Sequence, residues 1–405
     1  MADGTDSETA AQTPEPRAER IDMFLNRKDL HSTARLLSGI LLLLGVGCRG
    51  TSLSPQPIAA ATEAQTDSAE GASDSWKAQD TLAFFGDEPE GERVPFENRL
   101  ITNLVQHTTT VHGLDFDPDV YDDEKLLAFA STRNSDRPDV FLKHYDGATL
   151  TQLTGDPADD IQPRFSPDGT TIVFCSNRSG NWDLWSVKRD GTGLTQLTFE
   201  QTDEVAPCWS PDGSQVAYTR WSPRARQWEV WTLSVSQPGV RKFLSYGMFP
   251  AWSPTGGQIA FQRARQRGSK LFSVWTVDLV DGEARRPTEI AHRDEAACIA
   301  PRWSPDGMML IYCTVNGDAR VGTAREGAPA SADLWVVEVS TGIRMKLTDG
   351  GAPAFNPVWA SGGRVFFVSP RAGSENIWSL STELAGYATE TAQVTGGDTV
   401  LNRSP

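Results

Sequence analysis

Acidic residues recur at one place in the chain, just ahead of short β-rich runs: Asp115 and Asp117, Asp159 and Asp160, Asp203 and Glu204, Asp294 and Glu295. Carboxylates gathered on one rim can hold a cation or dock a basic segment, because a concave wall of low dielectric focuses their field. Two later copies of the position carry Tyr246-Gly247 and Ala354-Phe355 instead. The candidate binding residues are therefore Asp115, Asp117, Asp160, Glu204, Tyr246 and Glu295, with solvated loop charge as the plain alternative.

Catalytic chemistry is thin by comparison. His107, His112, His144 and His292 sit at non-equivalent positions of the pattern, so they are not expected to converge on a metal. No Gly-x-Ser-x-Gly nucleophile turn is present. Each Ser-Pro-Asp-Gly turn offers one carboxylate, whereas a calcium loop brings several oxygens together. No catalytic residue, metal or cofactor is expected. Of the five cysteines, Cys175 and Cys313 read as small buried strand residues. A disulfide between Cys298 and Cys313, across the turn at Pro305-Asp306, is open.

The elements that position the acids are visible as a repeat. Pro118, Pro163, Pro207, Pro250, Pro301 and Pro357 follow one another at intervals of 45, 44, 43, 51 and 56 residues. Two residues after each Pro stands an aromatic: Phe165, Trp209, Trp252, Trp303, Trp359, with Val120 as the outlier. Turns follow as Ser166-Pro167-Asp168-Gly169, Ser210-Pro211-Asp212-Gly213, Ser253-Pro254-Thr255-Gly256 and Ser304-Pro305-Asp306-Gly307. Pro presets φ at the second turn position and Gly accepts positive φ at the exit. Thr171 to Cys175 is β-branched and aromatic, which suits a buried second strand. Third strands repeat as Asp183-Leu184-Trp185, Glu229-Val230-Trp231, Ser273-Val274-Trp275, Asp333-Leu334-Trp335 and Asn376-Ile377-Trp378. The recurring Trp reads as core between neighbouring units. Four short strands cannot bury their own faces, so copies must stack. The expected fold is all-β, a six-bladed β-propeller of four-stranded antiparallel blades with a disordered N-terminal extension.

The run Pro-x-Trp-Ser-Pro-Asp-Gly, a strand, Asp-Leu-Trp and Gln-Leu-Thr resembles the repeat of the TolB-type, WD-like propellers. The resemblance covers about residues 98–395. It implies a protein-interaction scaffold, because in TolB the propeller mouth receives the peptidoglycan-associated lipoprotein. The folded α/β domain that precedes the propeller in TolB is missing here. Propellers that share this repeat also include oligogalacturonide lyases, so a carbohydrate- or small-ligand-binding or lyase function is the alternative.

Ring closure is undecided at this stage. The stretch 100–108 reads as an edge strand without a unit of its own, and Ala392 to Thr395 competes with it for the last blade.

The N-terminal text differs in kind. Arg27, Lys28 and Arg35 precede an apolar run from Leu36 to Val46 that ends in Gly47-Cys48. A basic region, a short apolar run and small residues at the cut mark a secretory signal. Cys directly after Gly47 resembles a bacterial lipoprotein signal, which implies lipidation at Cys48. Arg49 in place of Asp favours the outer membrane, facing the periplasm. Residues 1–48 are assigned to this segment, of which 1–22 need not be translated if Met23 is the start. Residues 49–97 are poor in apolar side chains and read as a flexible linker. Residues 98–400 form the propeller.

A net charge of −16 argues against nucleic acid, since neutralising phosphates needs a basic surface. The composite expectation is a non-enzymatic, lipid-anchored propeller of the bacterial envelope, monomeric, bound to the membrane through its lipid and to envelope proteins through its mouth.

Overall fold

The computed structural model describes residues 101–265, 271–316, 331–348, 350–382 and 384. The signal segment with Cys48, the 49–97 linker and the strand expected at Ala392 to Thr395 lie outside the described residues.

Strand β1 (Ile101–Gln106) stands apart in sequence from the blades. Blade one is β2 (Asp115–Tyr121), β3 (Leu126–Ser131), β4 (Asp139–His144) and β5 (Leu150–Gln152). Blade two is β6 (Asp160–Phe165), β7 (Thr171–Ser176), β8 (Asp183–Lys188) and β9 (Thr195–Gln196). Blade three is β10 (Glu204–Trp209), β11 (Gln215–Ser222), β12 (Gln227–Ser234) and β13 (Arg241–Tyr246). Blade four is β14 (Met248–Trp252), β15 (Gln258–Ala264), β16 (Phe272–Val280) and β17 (Glu283–Ala291). Blade five is β18 (Ala296–Trp303), β19 (Met309–Asn316), β20 (Ala332–Glu338) and β21 (Arg344–Lys346). Blade six takes β22 (Phe355–Trp359), β23 (Arg364–Ser369) and β24 (Asn376–Thr382) from one end of the chain and β1 from the other. The result is a six-bladed propeller of four-stranded antiparallel blades.

Ring closure is thus settled within the described residues. β1 pairs antiparallel with β24. The His107 N–H donates to the Ile377 carbonyl at 2.8 Å, and the Ile377 N–H donates to Thr108 Oγ1 at 2.9 Å. The Thr110 N–H reaches Asn376 Oδ1 at 2.8 Å. A sheet edge left unpaired is a template for aggregation, and the closing strand covers that of β24, becoming the outer strand of the blade itself.

Every innermost strand carries the same irregularity at its X-Pro pair. Asp117, Gln162, Ala206, Phe249, Ala300 and Asn356 all have φ between 49° and 55°. The strand register shifts at each of these points, for example between Ile161 and Arg164. This is a β-bulge, and Pro fits there because the displaced residue has no ladder hydrogen bond to donate. The bulges aim side chains of the innermost strands into the ring's central channel.

The Ser-Pro-Asp-Gly turns work as their chemistry predicts. In blade three Ser210 Oγ donates to Asp212 Oδ1 at 2.6 Å, while the Gln215 N–H donates back to Ser210 Oγ at 2.9 Å. The Asp212 carboxylate also accepts the Ser214 N–H at 3.0 Å, and these hydrogen bonds hold its pKa below the usual value. The Asp therefore fixes the turn.

Between blades the core is continuous. Leu126, Ala128, Val140 and Leu142 of blade one pack on Phe165, Ile172, Phe174 and Val187 of blade two. Phe174 is fully buried; truncating it to Ala costs about 3–5 kcal/mol. Cys175, Cys208, Cys298 and Cys313 are free thiols. Ile299 is the cross-strand partner of Cys313, so Cys298, one residue away, faces the opposite side of the sheet. The alternation of side chains excludes the Cys298–Cys313 disulfide.

Candidate functional site

Strand direction decides which loops share a face. The entrances to the innermost strands and the loops between second and third strands lie at one end of the ring, because the strands alternate direction. That end is the channel mouth.

Asp115, Asp160 and Glu204 were expected in loops at this mouth. They are instead the first residues of β2, β6 and β10, and none has measurable exposure. Two of them are matched by an arginine of their own blade. Arg133 Nη2 donates to both oxygens of Asp115, at 2.8 and 2.7 Å, and Ser131 Oγ donates to Asp115 Oδ1 at 2.6 Å. Arg178 Nη2 does the same to Asp160, at 2.9 and 2.8 Å. Glu204 has no such arginine bond. Burial raises its pKa, the neighbouring Asp183 carboxylate adds to the effect, and Thr202 Oγ1 donates to it at 2.9 Å. Glu204 is thus held toward its neutral form.

The other candidates scatter. Asp117 lies deeper, at the bulge of β2, only 3% exposed. Tyr246 ends the outermost strand β13, its ring edge-on to Phe243 at 5.2 Å, away from the channel. Glu295 is exposed in the loop before β18. The structure therefore brings Asp115, Asp117, Asp160 and Glu204 to the inner strands and leaves Tyr246 and Glu295 outside that group. His107 is buried between Tyr145 O and Ser379 Oγ, each at 2.8 Å, and desolvation lowers its pKa. Among the described residues no three His, Cys, Asp or Glu side chains are arranged to hold a metal ion.

One recurring partner escaped the sequence reading. An arginine lies over the third-strand aromatic in every blade: Arg133 on Phe141, Arg178 on Trp185, Arg220 on Trp231, Arg263 on Trp275, Arg293 on Trp335 and Arg371 on Trp378. Their guanidinium-to-ring distances run from 4.1 to 5.4 Å, within cation–π range. The recurring Trp is thus core on one side and a platform for a cation on the other. A signal existed in Ser131-x-Arg133, Ser176-x-Arg178 and Ser369-x-Arg371.

Below the mouth the channel narrows to a cavity of about 20 Å³, lined by Asp117, Arg164, Phe249, Arg302 and Asn356 among others. That is room for about one water molecule. Asn356 Nδ2 donates to Asp117 Oδ1 at 2.9 Å, while Asp117 Oδ2 has no hydrogen-bond partner. Burial pushes the Asp117 carboxyl up to about 6, against the pull of Arg164 and Arg302. Glu375, also buried, is pushed up to about 7 by burial and then by the charge of Asp117. Burial takes Arg302 down to about 10, with Arg164 adding to the depression. At the mouth itself a wider groove of about 800 Å³ runs across blades one to three, lined by Arg137, Asp156, Asn177, Asn181, Gln201 and Asp203.

Comparison with known proteins bears on this architecture. Residues 96–278 match the model of the TolB beta propeller domain. That segment matches the TolB propeller family, and the described chain shares the six-bladed propeller fold. The match spans blades one to three and most of blade four, and blades five and six continue the same repeat. Among solved structures the chain is similar to a putative TolB from Agrobacterium tumefaciens, with 19% identity and a TM-score of 0.51. The similarity covers 68% of this chain and 95% of that one. TolB from Acinetobacter baumannii matches at 15% identity and a TM-score of 0.46, covering 65% of each chain. An oligogalacturonate lyase from Vibrio parahaemolyticus matches at 14% identity and 0.47, covering 69% of this chain and 93% of that one. No curated protein matches the chain.

Proposed function

We propose that this TolB-type propeller is a non-enzymatic protein-interaction scaffold of the bacterial envelope, anchored by lipid at Cys48 in the outer membrane and facing the periplasm. The observation that carries the reading is the mouth groove. Its lining mixes Arg137, Asp156 and Asp203 with the amides of Asn177, Asn181 and Gln201, a surface suited to polar and charged contacts of a protein partner. The channel beneath is too narrow for a sugar ring, so a partner engages the rim. The partner class is an envelope protein like the peptidoglycan-associated lipoprotein, bound by a monomeric propeller.

Titration calorimetry of the full chain with peptidoglycan-associated lipoprotein from the same cell tests the reading. Arg137→Glu reverses a half-exposed charge of the groove and is expected to weaken binding about tenfold or more. Because Arg137 also pairs with the buried Asp159 carboxylate at 3.4 Å, the variant is expected to melt lower, and binding is measured well below that temperature. No binding by the native chain sinks the partner class, and equal binding by the variant sinks the groove. Asp160 and Glu204 are unsuitable for this test because both are buried. Metabolic labelling with a lipid precursor, lost in Cys48→Ser, tests the anchor.

A further inference from the structure

The channel floor holds two arginines that make no direct ion pair among the described residues. Arg164 is 9% exposed, and its Nη1 donates only to backbone carbonyls, Pro163 O at 2.6 Å and Pro118 O at 3.4 Å. Its Nε is buried with no acceptor. Arg302, across the same cavity, is held in the β18–β19 ladder opposite Ile311. Neither guanidinium has a carboxylate oxygen within 4.0 Å among the described residues, although Asp117 and Asp119 are nearby. One oxygen of each carboxylate is taken by another donor: Asp119 Oδ2 accepts the Phe165 N–H at 2.9 Å, and Asp117 Oδ1 accepts from Asn356. Asp117 Oδ2, with no partner, stays more than 4.0 Å from both guanidiniums.

Two like charges facing one cavity, with free N–H donors, are costly unless something between them accepts those hydrogens. We propose that the cavity between Arg164 and Arg302 binds one chloride-sized inorganic anion. Size selects the ligand: about 20 Å³ suits a monatomic ion and excludes phosphate or a carboxylate-bearing metabolite. Charge selects it too. The unmet groups of the two arginines are donors, which a cation cannot satisfy. The bulge at Ala300-Pro301 sets Arg302 in the channel, and the one at Gln162-Pro163 sets Arg164. The anion thus bridges blades two and five across the ring, tying together units that share no hydrogen-bonded strand. This site lies below the mouth groove and does not depend on what binds there.

The experiment uses the full chain in chloride-free buffer at constant ionic strength. Sodium gluconate is replaced stepwise by sodium chloride or bromide while thermal unfolding is followed. A saturable rise of roughly 3–6 °C is expected once the halide is about a hundredfold above its dissociation constant. Gluconate and acetate, too large for the cavity, give no saturable rise. Arg302→Met abolishes the halide response and leaves any general salt effect intact. Should that variant fail to fold, crystals of the native chain soaked in bromide decide the matter: an anomalous peak is expected within hydrogen-bond reach of both guanidiniums. A water or an empty cavity at that point overturns the proposal, as does stabilisation by magnesium or calcium salts of gluconate with none by halides.

Discussion

Arg133 Nη2 grips both carboxylate oxygens of Asp115, at 2.8 and 2.7 Å, from a position stacked on the rings of Phe129 and Phe141. The carboxylate is fully buried and the guanidinium largely so. Removing one partner of such a pair leaves an uncompensated charge, at a cost of about 3–5 kcal/mol. Asp115→Ala is therefore expected to lower the urea-unfolding free energy by that amount. The double variant Asp115→Ala with Arg133→Met is expected to recover part of the loss, since no lone charge remains. Equal or greater loss in the double variant would show that the two side chains stabilise the fold independently.

That pair also marks the limit of sequence reading. The Pro-x-Trp-Ser-Pro-Asp-Gly units announced six blades, their turns and the third-strand Trp platform, because each is local chemistry repeated. Asp115, Asp160 and Glu204 read as loop acids because carboxylates are poor strand formers. Arg133 and Arg178 override that preference by tertiary contact, and a repeat pattern shows such pairing only to a reader tracking Ser-x-Arg. Ring closure was illegible for a different reason: β1 and β24 lie at opposite ends of the propeller sequence, and two segments were equally good fourth strands. The channel arginines were missed because the residue after Pro varies from Asp119 through Arg164, Cys208 and Ala251 to Arg302 and Val358. Their proximity exists only in the closed ring.

The turn at Gly169 offers a sharp backbone test. Its φ is +66°, and a Cβ there would lie 2.4 Å from Tyr121 Cε1 of blade one. Gly362, at φ +67°, has open space around the same position. Both Gly→Ala changes force an L side chain into the left-handed region, at about 1–3 kcal/mol. Only Gly169→Ala adds a steric clash with the neighbouring blade, so its melting temperature is expected to fall further than that of Gly362→Ala. Equal shifts in the two variants would mean that Tyr121 moves aside freely.

Closure by β1 separates two truncations. A chain starting at residue 98 keeps β1 and all its bonds to β24, and is expected to fold as a monomer. A chain starting at residue 109 loses the His107 and Thr108 bonds to Ile377 and bares the backbone of β24 as a sheet edge. It is expected to melt at lower temperature and to elute as aggregates in size-exclusion chromatography. A monomeric, equally stable 109-start chain would assign closure to another strand.

The buried carboxyls give the propeller a pH dependence of definite sign. Glu375 is raised from 4.5 to about 7 by burial and then by Asp117; its Oε1 has no hydrogen-bond partner. Between these two values the folded state holds a proton that the unfolded chain has released. Stability then falls as pH rises, since its slope follows protons bound unfolded minus protons bound folded. The contribution is complete below about pH 4.5 and is lost as pH climbs through about 7. Its size is at most a few kcal/mol. Glu375→Gln keeps the shape and removes the proton, so the variant is expected to lose less stability than the native chain between pH 5 and pH 8. Urea titrations at a series of pH values across that window measure the difference directly. Parallel curves would mean that Glu375 is hydrated in the folded protein, with Asp117 too far away to press a proton onto it.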